Sequence, residues 1–239
     1  MQTSGESTKH SATTNSRTAK ISTTATSTSV SSTTAAPTTA APTTSTTQSR
    51  SPVIYRVNVG GSRLSAMNGG PDWLPDSEQH PSRFGNALWS GSHTNTTDDS
   101  VAMTAAVPAG TPEAIFHSRR WDADTKDHND DTEMQYRFPV ENGQYEVRLY
   151  FAETYLDDYL NRRVGPRKFS VEIGDEEVLH DYDMYKELGH DRGTMKSFTV
   201  KVEEGVINVR FKHKKEDPML SGISIVRVES GKEKNGHQQ

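Results

Sequence analysis

Gly143-Gln144-Tyr145-Glu146-Val147-Arg148-Leu149-Tyr150-Phe151-Ala152-Glu153 alternates large apolar and polar side chains along most of its length. Tyr145, Val147, Leu149 and Phe151 fall on one side, and Glu146, Arg148 and Tyr150 on the other. Only an extended backbone brings residues two apart onto one face, so this run predicts a β-strand with a core face and a water face. The same rhythm returns in Phe169, Val171 and Ile173, in Phe198, Val200 and Val202, and in Ile207, Val209 and Phe211. Residues 53–59 and 101–107 are further strand candidates, and 114–117 and 134–138 are shorter ones. Turn residues separate these runs. Asn142-Gly143 precedes the first, Gly174-Asp175 interrupts the second, and Glu203-Glu204-Gly205 is expected to close a hairpin between the last two. Only 183–188 carries a helical turn signal. Eight or more short strands between residues 52 and 229 predict an all-β domain, a two-sheet antiparallel β-sandwich of jelly-roll type.

The chain around this domain is different in kind. Of 239 residues, the first fifty are more than half Ser and Thr, with no aromatic side chain and only Ile21 and Val30 as large aliphatics. Such a segment cannot bury enough apolar surface to offset the entropy of ordering, so residues 1–51 are expected to be a disordered stalk or linker. Its Ala-Pro-Thr-Thr pieces fit either a mucin-like, O-glycosylated stalk or an unmodified spacer. Residues 230–239 form a short polar tail. The net charge of −5 gives no basic footprint for nucleic acid, and the short basic run Lys212-His213-Lys214-Lys215 reads as a solvated strand end. The absence of cysteine excludes disulfides, thiolate metal sites and cysteine nucleophiles. No apolar run is long enough to span a membrane and no apolar signal-peptide core follows Met1, so the sequence is expected to be either a fragment of a longer exported chain or a chain whose start lies further upstream. Asn95-Thr96-Thr97 fits the N-glycosylation acceptor pattern.

Two segments break the strand rhythm, 60–100 and 153–166. Long loops in a compact domain tend to carry function, and these hold Trp73, Trp89, Tyr155 and Tyr159. Such rings either contact a ligand or plug the ends of the sandwich, and plugging is the expected role of Trp73.

Several strings, in order along the chain, resemble the malectin and malectin-like family of carbohydrate-binding domains. They are Tyr55-Arg56-Val57-Asn58-Val59-Gly60-Gly61, Ile115-Phe116-His117-Ser118-Arg119-Arg120-Trp121, and the strand from Gly143 to Tyr155 with Phe151-Ala152-Glu153 at its centre. Arg167-Lys168-Phe169-Ser170-Val171, Asp181-Tyr182-Asp183-Met184-Tyr185 and Asp217-Pro218-Met219-Leu220-Ser221-Gly222-Ile223 complete the set. The resemblance covers residues 53–228. It implies a sandwich whose loops at one end form a cleft for an oligosaccharide, without a cofactor. The family's contact positions fall on Phe116, Tyr155, Leu156 and Asp217, with Trp121 and Trp89 as neighbouring aromatics. A sugar offers C–H patches for ring stacking and hydroxyls for a carboxylate, which suits this set. Phe116 lacks the hydroxyl of the family's tyrosine and Leu156 replaces an aromatic, so glucose-containing ligands are expected without a fixed specificity. Arg120 is expected to pair with a buried acid such as Glu153.

Three functions are consistent with these features. A non-catalytic glycan-binding module at the cell surface or outside the cell is favoured. A module that engages a glycoprotein or other protein partner is the alternative, because ectodomains of plant receptor kinases belong to the same family. A glycoside hydrolase would need a carboxylate pair such as Glu153 with Asp157 or Asp158. The acidic stretch of Asp122, Asp124, Asp127, Asn129, Asp130 and Asp131 has the oxygen ligands for a structural Ca²⁺ but not EF-hand spacing, and reads as a solvated turn with no metal.

Overall fold

The computed structural model describes residues 52–123, 133–155 and 167–229. The sequence-predicted stalk, the polar tail, Leu156, Tyr159, the carboxylates Asp157 and Asp158, and Asp124 to Asp131 lie outside these residues.

Among the described residues thirteen strands run in the order β1 Val53–Val59, β2 Leu74–Asp76, β3 His93–Thr96, β4 Ala102–Met103, β5 Ser118–Trp121, β6 Gln135–Pro139 and β7 Gly143–Ala152. After these come β8 Lys168–Ile173, β9 Glu176–Tyr182, β10 Arg192–Val202, β11 Val206–Lys215, β12 Met219–Leu220 and β13 Gly222–Val228. Two short helices, α1 Ala87–Ser90 and α2 Met184–Leu188, interrupt them. The fold is an all-β sandwich. A six-stranded sheet of order β2-β1-β13-β7-β10-β4 faces a four-stranded sheet of order β6-β11-β8-β9, and a small sheet of order β12-β5-β3 is added to them. Pairing is antiparallel except where β2 joins β1 and β4 joins β10.

The alternation of β7 determines the core. Tyr145, Val147, Leu149 and Phe151 are fully buried between the two large sheets, with Phe169, Val171, Phe211, Ile223 and Ile225. The other face of β7 is not the expected water face along its whole length. Tyr150 and Ala152 are buried in a second cluster with Trp73, Val101, Ile115 and Phe116. Where 114–117 was expected as a short strand, Glu113–Phe116 forms a 3₁₀ turn laid on that outer face. Gly222 and Gly193 make room for it. A Cβ at Gly222 would lie 2.7 Å from Ile115, and one at Gly193 2.8 Å from the Phe116 ring.

Three further expectations need correction. Glu203-Glu204-Gly205 does not close a hairpin, because β10 and β11 belong to different sheets and the turn crosses between them. Of 101–107 only Ala102 and Met103 pair as a strand. The His213 side chain is not a solvated strand end but is nine-tenths buried. By contrast, Gly174-Asp175 does join paired strands β8 and β9, and the 183–188 signal is α2, capped by Asp183, which accepts from the Lys186 N–H at 2.9 Å.

Candidate functional site

Strand β5 positions the site by its own alternation. Ser118 and Arg120 point to one face, Arg119 and Trp121 to the other. Across the pair, His93 faces Trp121 and Asn95 faces Arg119 on β3. The His93 and Trp121 rings lie 4.9 Å apart, which fixes these four side chains on a common surface. The end of β7 leads into Glu153, Thr154 and Tyr155, and Arg167 precedes β8. Together Asn95, Arg119, Trp121, Tyr155, Arg167 and Asp217 line a cleft of about 200 Å³.

Glu153 organises its floor. It is fully buried, and its carboxylate accepts from Arg167 Nε at 2.9 Å and from the Tyr155 N–H at 3.1 Å. Arg167 also donates to the Asp217 carbonyl, so one guanidinium ties the end of β7 to the segment before β12. Arg119 is 5% exposed, donates to Thr154 Oγ1, and lies 5.8 Å from the Tyr155 ring centre. Burial lowers the Arg119 guanidinium from its ordinary value, and the Glu153 carboxylate opposes that shift. The Tyr155 side chain is left 57% exposed at the mouth. The surface therefore offers two aromatic rings, two guanidiniums and the Asp217 carboxylate, a set suited to a ligand with hydroxyls around an apolar face.

Of the residues expected at this site, the structure brings Tyr155, Asp217 and Trp121 together. Phe116 does not join them. It is 1% exposed in the second core, 6.3 Å from the Tyr150 ring, and has no face left for a sugar. Trp89 is 73% exposed but lines a different surface with Arg83, Phe84, Asn86, Gln135 and Arg137. Leu156 falls outside the described residues. Arg120 pairs not with Glu153 but with Asp76, at 3.0 Å through both Nε and Nη2. Sequence reasoning missed Arg119, Arg167 and Asn95 as lining residues. The β5 alternation placed Arg119 beside Trp121, and that signal was available.

Among the described residues one group of side chains has the donor set for a metal. Asp122, Glu133 and His213 bring ligand atoms within 4.8 Å of one another. Their hydrogen bonds already use both His213 nitrogens, Nδ1 with Glu133 at 2.7 Å and Nε2 with the Asp122 carbonyl at 2.9 Å, so a metal would have to displace one of them. Burial alone would lower the imidazolium pKa, but these two acceptors outweigh it and raise it to about 9. Burial pushes the Asp122 carboxyl up to about 7, against the Met134 N–H that donates to it at 2.6 Å. The cluster closes the two ends of the segment between Asp122 and Glu133, which is a structural role.

A family model for the malectin domain matches residues 53–224. Among solved structures, the plant receptor-like kinase FER matches with TM-score 0.62 and 19% identity, over 75% of this chain and 50% of that one. The ANX2 ectodomain from Arabidopsis thaliana matches with TM-score 0.61 and 20% identity, again over 75% and 50%. Bacteroides uniformis β-glucuronidase matches with TM-score 0.53 and 23% identity, over 73% of this chain but 18% of the enzyme. The chain thus spans half or less of each of these structures, and the likeness concerns the fold. No curated protein matches the chain.

Proposed function

The chain belongs to the malectin-domain family, and from that premise we propose that it is a non-catalytic carbohydrate-binding module of an exported protein. The observation that carries the reading is the β5 cleft, where Trp121 and Tyr155 flank Arg119, Arg167 and Asp217. Its volume of about 200 Å³ is below the ~300–1,000 Å³ of drug-sized pockets, so it takes one or two sugar residues of a longer glycan. Ring stacking supplies affinity, and the charged donors and acceptor select hydroxyl positions.

The floor of the cleft favours binding over catalysis. A glycosidase needs an acid and a second carboxylate on either side of the bond it cleaves. Glu153 is instead fully buried, with its oxygens held by Arg167 and the Tyr155 backbone. Among the described lining residues, Asp217 is the one carboxylate. Calorimetric titration with glucose-containing and other neutral oligosaccharides tests the reading. Binding to the wild type that Tyr155→Ala and Trp121→Ala each weaken by about tenfold, the equivalent of one lost stacking contact of about 1.4 kcal/mol, supports it. No binding to any glycan on an array sinks it.

A protein partner is the second reading. A related structure holds FER with the peptide RALF23 and LLG2, at TM-score 0.61 and 19% identity. In this chain Leu88 and Trp89 of α1 are exposed side by side, away from the cleft. Under that reading Trp89→Ala, and not Tyr155→Ala, releases the partner.

A further inference from the structure

The chain has ten asparagines, of which Asn95 alone begins an Asn-X-Ser/Thr triplet. The acceptor asparagine of that triplet lines the candidate cleft. Asn95 and Thr96 are exposed on β3, which forms an edge of the small sheet. Asn95 lies opposite Arg119, on the surface where His93 meets Trp121, and it lines the same cleft as Tyr155 and Asp217. An exposed acceptor asparagine on an edge strand is open to a transferase.

We infer that Asn95 is an N-glycosylation site and that its glycan caps the cleft. The inference rests on the reading of the chain as an exported module. In the reaction, the Asn95 amide nitrogen attacks C1 of an oligosaccharide carried on a polyprenyl phosphate or pyrophosphate. The C1–O bond to the carrier breaks, the carrier leaves with the electron pair, the new C1–N bond forms and the amide loses one proton. The first sugar is then covalently fixed beside Arg119 and Trp121, on the ground that a free ligand would use. A tethered ligand competes at a high effective concentration, so the glycosylated form holds its cleft closed and the unmodified form leaves it open.

The full chain, secreted behind a signal sequence from a host that N-glycosylates, is compared with the same chain made in bacterial cytoplasm. Thr97→Ala removes the acceptor pattern without altering a lining residue, and Thr97→Ser retains it. Mass mapping of the peptide over residues 84–119 reads the modification. Hydroxyl-radical labelling of Trp121 and Tyr155 reads the cap, with exposed Trp89 as the internal reference. A glycan on Asn95 is expected in the secreted wild type and Thr97→Ser and not in Thr97→Ala. Labelling of Trp121 and Tyr155 should fall several-fold in the glycosylated forms while Trp89 is unchanged. An unmodified Asn95 in the secreted chain overturns the inference, and so does a glycan that leaves both rings fully labelled. Neither readout uses an added ligand. Failure of the unmodified chain to bind any sugar would therefore overturn the proposed function and leave this test intact.

Discussion

The two faces of β5 carry similar side chains in opposite states. On the inner face Arg120 donates twice to the Asp76 carboxylate and once to the Asp76 carbonyl, Tyr136 donates to Asp76 at 2.7 Å, and the Ser82 N–H donates at 2.8 Å. Asp76 and Tyr136 are essentially inaccessible, and burial followed by the Asp76 charge pushes the Tyr136 hydroxyl well above its ordinary pKa. On the outer face Arg119, Arg167 and Glu153 are also buried, but beside them Tyr155 and Trp121 remain in reach of solvent. An arginine, an acid and a tyrosine thus make either a sealed strut or the floor of a cleft. The difference lies in whether neighbouring chain covers them, because a sealed charge must be fully paired whereas a cleft keeps bonding capacity for a ligand.

Removing one partner of the sealed cluster should have the largest effect. Asp76→Ala leaves Arg120 buried without its carboxylate and is expected to cost about 4 kcal/mol of stability, read as a shift in urea midpoint. Phe116→Ala comes next, with about 3 kcal/mol lost from the second core. Any sugar affinity of the folded protein should stay unchanged, and a loss of affinity without loss of stability would return Phe116 to the site.

The Asp122–Glu133–His213 cluster predicts a pH dependence. Both Asp122 and His213 have folded pKa values above their ordinary ones, so both contribute most at low pH. The Asp122 contribution is lost as pH rises through about 7 and the His213 contribution as it rises through about 9. Stability should therefore fall with rising pH, first below pH 7 with Asp122 and then between about pH 7 and 10 with His213, the latter by about 2 kcal/mol, and His213→Gln should flatten that alkaline limb. An unchanged slope in the variant would show that another group titrates there. The smallest effect is expected at Tyr155. Tyr155→Ala should leave the melting temperature within the scatter of surface substitutions, about 0.5 kcal/mol, while weakening sugar binding. A large loss of stability would show that Tyr155 belongs with the sealed face.

The strands were legible because alternation is a local property. Tyr145, Val147, Leu149 and Phe151 declare their shared face without reference to any other part of the chain. Residues 114–117 were misread for the same reason. Ile115 and Phe116 have the apolar content of a strand, but the Gly193 and Gly222 slots that receive them are contributed by distant strands. Pairings of charge were illegible on similar grounds. Arg120 and Asp76 are separated by 44 residues, and no spacing rule links them. Tyr155, Trp121 and Asp217 were found through family resemblance, whereas Arg167 and Asn95 join them only through the folded chain.

The sequence by itself determined an all-β domain between a Ser/Thr-rich segment and a polar tail, because side-chain periodicity and apolar content act residue by residue. The tertiary structure decided which aromatics are core and which are free. Phe116 and Tyr155 look equivalent in the sequence, yet one is packed beneath a turn and the other stands at the mouth of a cleft. Burial depends on what the rest of the chain lays over a residue, and that is settled only when the sheets come together.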